Sequence, residues 1–207
     1  MRLYISDQHF FDSGVCFNMD KRGFETIEEM NEYMIRQWNS KVKRGDEIFV
    51  IGDMFSYKEA GIEGINKVLH HLNGKIYLCI GNHDEGWIRK KGVDLARFTW
   101  IRQTAVVSDQ GREVLLAHYP IPFFGKNHAR TKAGDLRTFM LHGHVHASPE
   151  ADLLYKFQDM AADSYFTNRA GEQESMKINM LNTFCGYSDY KPLSIDEWIE
   201  VNKALHR

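Results

Sequence analysis

The sequence predicts an α/β fold, and three observations carry that expectation. Short apolar, β-rich runs alternate with amphipathic helical stretches through the first half of the chain. None of these runs is longer than a strand, and the strongest of them give way at once to glycine, asparagine or aspartate. With 43% of its 207 residues hydrophobic and 13% aromatic, the chain can bury a sizeable core, which excludes disordered, collagen-like and coiled-coil classes and predicts one domain over 1–207.

The first predicted strand is Arg2 to Ser6. A helix follows, because Thr26-x-x-Glu29 forms a capping box and Ile27, Met30, Met34 and Trp38 recur at helical spacing to give a core-facing stripe. Glu47 to Ile51 is the second strand; Ile62, Ile65, Leu69 and Leu72 mark a second amphipathic helix that stops at Asn73-Gly74. Lys75 to Ile80 is the third strand. This alternation predicts parallel pairing through right-handed crossovers. Beyond it, Phe98 to Val107 and Arg112 to Ala117, joined by Asp109-Gln110-Gly111, read as antiparallel hairpins. Thr138 to His142 is a further strand and Lys177 to Leu181 a weaker one. Residues 148–175 show no clear period and read as an irregular excursion with one short helix. Ser194-x-x-Glu197, followed by Trp198, Val201 and Leu205, predicts a C-terminal helix.

Charge narrows the function classes. Twenty-six basic against 28 acidic side chains give a net charge of −2, which argues against coating nucleic acid by bulk charge. No run is long enough to span a membrane, and Arg2 to Ser6 is too short an apolar core for a signal peptide, so a cytoplasmic protein is expected. Cys16, Cys79 and Cys185 are odd in number and far apart, which argues against a disulfide framework; Cys79, inside a strand, reads as a core residue. Trp38, Trp100 and Trp198 likewise fit core stripes.

The ten histidines say more, because five fall in short motifs immediately after strands. Asp7 and His9 follow the first strand, Gly52-Asp53 the second, Gly81-Asn82-His83-Asp84 the third, His118 the fourth, and Gly143-His144-Val145-His146 the fifth. Sites in α/β sheets form where loops converge at the carboxyl ends of strands, so these five segments can meet in one place. Singly each is weak: aspartate after a strand commonly serves a turn or a cap. In His144-x-His146, alternation along an extended segment would point both imidazoles to one side.

Taken together and in this order, Asp7-Gln8-His9, Gly52-Asp53, Gly81-Asn82-His83-Asp84, Ala117-His118-Tyr119-Pro120 and Gly143-His144-Val145-His146 resemble the signature of the calcineurin-like metallophosphoesterases. The resemblance implies a four-layer α/β/β/α sandwich of two mixed sheets flanked by helices. It implies two divalent metal ions about 3.5 Å apart, one held by Asp7, His9, Asp53 and His146, the other by Asp53, Asn82, His118 and His144. Asp53 would be shared. The nitrogen and oxygen donors suit manganese first, with iron, nickel or zinc as alternatives. A hydroxide between the ions would attack a phosphate ester, with the surplus positive charge drawing an anionic substrate to an acidic chain. His83 would be the non-ligand histidine that gives a proton to the leaving oxygen, while Asp84 either orients it or caps the helix beginning at Glu85.

The expected activity is therefore hydrolysis of a phosphomonoester or phosphodiester on a small or nucleotide-like substrate. A nuclease on single-stranded ends is the alternative, and a non-catalytic metal-binding scaffold a third. Gly52-Asp53-Met54-Phe55-Ser56-Tyr57-Lys58 lacks the second acid and the arginine of the protein-phosphatase branch, so the resemblance is to the small bacterial and phage phosphoesterases. Between two of the implied ligands lies Gly125 to Arg137, where Lys126, His128 and Arg130 form either a solvated loop or a site for substrate phosphate. Phe10, Phe11, Tyr119, Phe123 and Phe124 either wall a leaving-group site or pack beneath the loops. His142 reads as a buried histidine behind the ligands.

Overall fold

The computed structural model describes residues 1–205. Four strands, β1 (Arg2–Ile5), β2 (Glu47–Ile51), β3 (Lys75–Cys79) and β4 (Phe98–Arg102), form one sheet in sequence order, and every pairing in it is parallel. The crossovers are α1 (Ile27–Lys41), α2 (Tyr57–His71) and the short α3 (Glu85–Ile88). After a single intervening residue, Gln103, the chain enters a second sheet through β5 (Thr104–Asp109), β6 (Arg112–Ala117) and β7 (Thr138–His142). There follow α4 (Pro149–Ala162), a hairpin of β8 (Tyr165–Thr167) and β9 (Gln173–Ser175), then β10 (Met180–Asn182) and α5 (Ile195–Leu205). The second sheet has the order β10-β7-β6-β5, with only β5 antiparallel. The architecture is thus mixed α/β, with one parallel and one mixed sheet.

Two expectations about the sheets need correction. Sheets mixed in both halves were expected, but the first is wholly parallel because all its connections cross over. The hairpin expected from Phe98 begins only at Thr104, since β4 pairs with β3.

Helix ends follow the sequence signals. Thr26 Oγ1 accepts from Glu29 N at 3.1 Å, and Ser194 N donates to Glu197 Oε2 at 2.8 Å. The stripe of α1 buries Met30, Met34 and Trp38, and that of α2 buries Ile65, Val68 and Leu69, both against Leu3, Ile5, Ile48, Val50, Ile76 and Leu78. On the other face of the parallel sheet, Tyr4, Phe49, Ile51 and Cys79 share a core with Val114, Leu116 and Leu141 of the second sheet and Trp198 of α5. Truncating Trp38 or Trp198 to alanine would cost about 3–5 kcal/mol.

Residues 148–175 are far more regular than expected. Ser148 caps a 14-residue helix, accepting from Glu150 N at 3.2 Å with Pro149 in the first turn. The buried stripe of α4 is Ala151, Tyr155, Gln158 and Ala161, whose small and polar members hide the period from a hydrophobicity reading. Among the described residues no helix is long and apolar enough to cross a membrane.

Candidate metal centre

The carboxyl ends of β1, β2, β3, β6 and β7 come together, and the backbone there is unusual. Asp7 (φ 58°), His9 (φ 49°), Asp53 (φ 55°), His144 (φ 71°) and His146 (φ 45°) all adopt left-handed conformations. A residue with a Cβ pays roughly 1–3 kcal/mol for such a conformation, and this strain concentrates at functional sites. Hydrogen bonds between loops hold it: Asp7 N to Gly52 O at 3.0 Å, His9 N to Asp53 O at 3.0 Å, and Gly143 N to His118 O at 3.0 Å. The His144-to-His146 segment is therefore not extended. Its two rings diverge, His144 lying 5.2 Å from the His118 ring and His146 5.1 Å from the His9 ring.

The side chains form three adjoining groups: Asp7 with His9 and His146, Asp53 with His118 and His144, and His9 with Asp12 and His83. In the first, His146 Nε2 is 3.5 Å from Asp7 Oδ1. In the second, His118 Nε2 is 3.2 Å from Asp53 Oδ2 and 3.1 Å from Asn82 Oδ1. Asp53 Oδ2 is also 3.6 Å from His9 Nε2, so one carboxylate oxygen faces both the first group and the second.

A cation fits what these residues leave unmet. Neither ring nitrogen of His9, 1% exposed, makes a hydrogen bond, an unusual cost for a buried polar group that a coordinated ion would remove. Two glycines let the carboxylates in: a Cβ on Gly81 would collide with Asp53, and one on Gly143 with Asp7. The buried Asp/His groups can thus hold a metal ion, and their nitrogen and oxygen donors suit a borderline divalent cation.

Without metal, charge redistributes within the cluster. Burial raises the Asp53 carboxyl, but the hydrogen bond and charge of His118 outweigh it and hold it at about 2. Burial lowers His118, but Asp53 and Asp7 raise it to about 9. His142, buried behind the ligands as expected, is pushed down to about 4 by burial and is neutral, its Nδ1 3.0 Å from Gly143 O.

His83 is exposed and its ring lies 5.0 Å from that of His9; its backbone N donates to Asp53 Oδ1 at 2.8 Å. Asp84 does neither of the things expected of it. It is fully buried, its side chain makes no helix cap, and its carboxylate accepts from Asp53 N (2.8 Å), Met54 N (2.9 Å), Gly81 N (2.8 Å) and Trp87 Nε1 (2.9 Å). It therefore splices the β2 and β3 loops and leaves His83 alone.

The basic loop is also elsewhere. Lys126 Nζ pairs with Glu113 at 2.8 Å, and Thr138 donates to Lys126 O, which places the segment at the amino ends of β6 and β7, opposite the metal cluster. Arg130 pairs with Glu174 of β9 at 2.7 Å and donates to Gly134 O and Ser175 O, and the His128 ring rests against Phe166 of β8. Arg130 and His128 serve the hairpin and Lys126 the amino end of β6, so a substrate-phosphate role for these three is not sustained. Of the expected aromatic wall, Phe10 is core, while Tyr119 stays half-exposed beside His144 at 4.5 Å between rings.

Sequence reasoning missed the residues behind the ligands. A short π-helical segment, Gly14–Met19, ends at Asp20, whose Oδ1 lies 2.9 Å from His146 Nδ1. Arg22 holds Asp20 at 2.9 Å and also donates to Asp7 O and Gln8 O. Asp12 stands 3.4 Å from His9 Nδ1. Asn182 donates to His146 O at 2.8 Å. In the sequence, Asp20-Lys21-Arg22 looks like any solvated charge run.

No family model matches the chain. Over 205 residues, 97% of this chain and 92% of the relative, it is 25% identical to an uncharacterized protein of Methanocaldococcus jannaschii. The crystal structure of a protein of unknown function from Aquifex aeolicus superposes with a TM-score of 0.63, covering 97% of this chain and 98% of that one at 21% identity, a likeness of fold.

Proposed function

We propose that this chain is a phosphoesterase that works with two divalent metal ions, in the manner of the calcineurin-like metallophosphoesterases, on a four-layer α/β/β/α sandwich. The observation that carries the reading is the convergence of Asp7, His9, Asp53, Asn82, His118, His144 and His146 from five strand ends, with five of the seven held in left-handed backbone. Such strain persists only where the surrounding structure enforces it.

Asp7, His9 and His146 would hold one ion and Asn82, His118 and His144 the other, with Asp53 turned to both. Manganese is the first choice, and iron, nickel or zinc fit the same donors. When bound, the ions supply Lewis acidity toward a phosphoryl group and its attacking water. The protein's own part is to aim the imidazoles. Asp20 fixes His146 through Nδ1, and Ile51 O fixes His118 through Nδ1 at 3.0 Å. His83, exposed at the edge of the cluster beside His9 and Asp12, would carry a proton on its ring to the departing oxygen.

The test is chelation followed by reconstitution with Mn, Ni or Zn, with metal content and turnover of a chromogenic phosphomonoester and phosphodiester measured together. Metal-dependent hydrolysis of either ester is expected. Protein that binds two ions per chain and hydrolyses neither would reject the reading.

A further inference from the structure

We infer that this chain associates as a two-fold dimer in which the outer face of α4 packs antiparallel on the same face of a second copy; the inference stands apart from the phosphoesterase reading. α4 carries two stripes at helical spacing. One, Ala151, Tyr155, Gln158 and Ala161, is buried against its own chain. The other, Leu153, Phe157 and Met160, runs along the opposite side, and its outer members are 64% and 60% exposed. It does not stand alone. Phe123, 63% exposed, sets its ring edge-on to Phe157 at 6.1 Å between centroids. Its neighbour Phe124 shares a hollow with the exposed Val106 of β5, and the exposed Tyr119 shares a cleft with Leu153. These side chains make one apolar band across the outer side of the second sheet, from β5 to α4. Single apolar side chains are ordinary on a surface, but a contiguous band marks an interface.

Two features of α4 choose a second copy as the occupant. The first is that the stripe reads the same in both directions. A two-fold axis beside Lys156 and Phe157 lays Leu153 on the partner's Met160 and Met160 on the partner's Leu153, as a self-complementary contact requires. The second is that the charges beside the stripe complement themselves. Asp152, Lys156 and Asp159 are exposed and follow one another at i, i+4 and i+7 along one flank. In an antiparallel pair that flank faces its own counterpart, so each Lys156 comes within a helical turn of the partner's Asp159 and two equivalent ion pairs form. A parallel pair would instead set Lys156 against the partner's Lys156, and like charges reject that arrangement. The band ends at Tyr119, whose ring lies 4.5 Å from that of His144. The second copy therefore stands beside the candidate metal centre.

Sedimentation equilibrium of the full chain at concentrations up to about 100 µM tests this. The mass of two chains is expected at the upper end of that range. Leu153→Glu/Met160→Glu, at positions exposed enough to spare the fold, should weaken association at least about 100-fold while far-ultraviolet circular dichroism stays that of the parent. Lys156→Asp should weaken it about tenfold, and Lys156→Asp/Asp159→Lys should return it to within about threefold of the parent, because each ion pair re-forms with its signs exchanged. A parent chain that stays monomeric throughout would overturn the inference. So would a dimer that Leu153→Glu/Met160→Glu leaves intact, since it would use another face. Failure of the exchanged charges to restore association would overturn the antiparallel contact, and the inference with it.

Discussion

Asp20 and His146, 126 residues apart in the chain, share a hydrogen bond of 2.9 Å, and Arg22 clamps the carboxylate from its other side. A carboxylate behind a ligating imidazole fixes its tautomer and makes the far nitrogen a better donor. Asp20→Asn keeps an acceptor for Nδ1–H but removes the charge. Metal affinity should fall roughly 10- to 100-fold, read by titrating metal into chelated protein. Unchanged affinity would mean that His146 does not bind metal.

Asp84 gives a contrasting case, because its four N–H donors bind the β2 loop to the β3 loop and to Trp87. Asparagine there turns an amide N–H₂ toward groups that are themselves donors. Stability should drop by about 2–4 kcal/mol, measured by urea denaturation, with metal content falling as the loops part. A variant with normal stability and reduced turnover alone would restore Asp84 to an orienting role for His83.

How much could be read in advance follows from what kind of signal each residue left. The clustering of the Asp and His residues was legible because each sits close after an apolar run, and strand ends are where α/β sheets place their sites. The helices of α1 and α5 were legible through Thr26-Glu29 and Ser194-Glu197. Asp20, Arg22 and Asp12 were not, since their partners are created by the turn after β1 and have no spacing rule. The α4 stripe was lost because Gln158 and Tyr155 are buried polar residues. Lys126 and Arg130 were misplaced because sequence proximity to His118 and His144 says nothing about which end of a parallel pair a loop crosses. The left-handed backbone at His144 and His146 was invisible too, because histidine rarely adopts it without tertiary enforcement.

His83 should separate from the ligands experimentally. Its ring is exposed, and its backbone N, not its imidazole, contacts Asp53. His83→Ala should therefore keep both ions by elemental analysis while turnover drops roughly 10²-fold or more, the loss expected for a general acid. Loss of an ion would make it a ligand instead.

Lys126→Ala and Arg130→Ala should leave KM and kcat within about twofold of the parent, because the exposed Lys126 pair contributes little, the partly buried Arg130 pair holds only the β8–β9 hairpin, and both lie at the far end of the sheet. Removing Arg130 should instead loosen the β8–β9 hairpin, seen as faster amide exchange over 165–175. A rise in KM confined to nucleotide substrates would return the loop to the site.

The last prediction concerns pH in the metal-free protein. His118 has an ordinary value of 6.5 and is raised to about 9 in the fold by Asp53 and Asp7 against the opposing effect of burial. A raised folded value means the charged form is favoured by folding, so the stabilisation is complete below 6.5 and disappears as pH climbs through 9. His146, raised by Asp20 against burial, acts in the same direction. His142 and His144, both lowered, first by burial, weaken the fold only below 6.5. Asp53, held at about 2, keeps its contribution above its ordinary 3.8 and loses it as pH falls through 2. The Tm of chelated protein should thus decline steadily between pH 6.5 and 9. A bound cation takes the place of those imidazole protons, so the Tm gained on adding metal should grow over the same interval. A chelated protein whose Tm rises from pH 6.5 to 9 would show that His118 is not charged between the two aspartates.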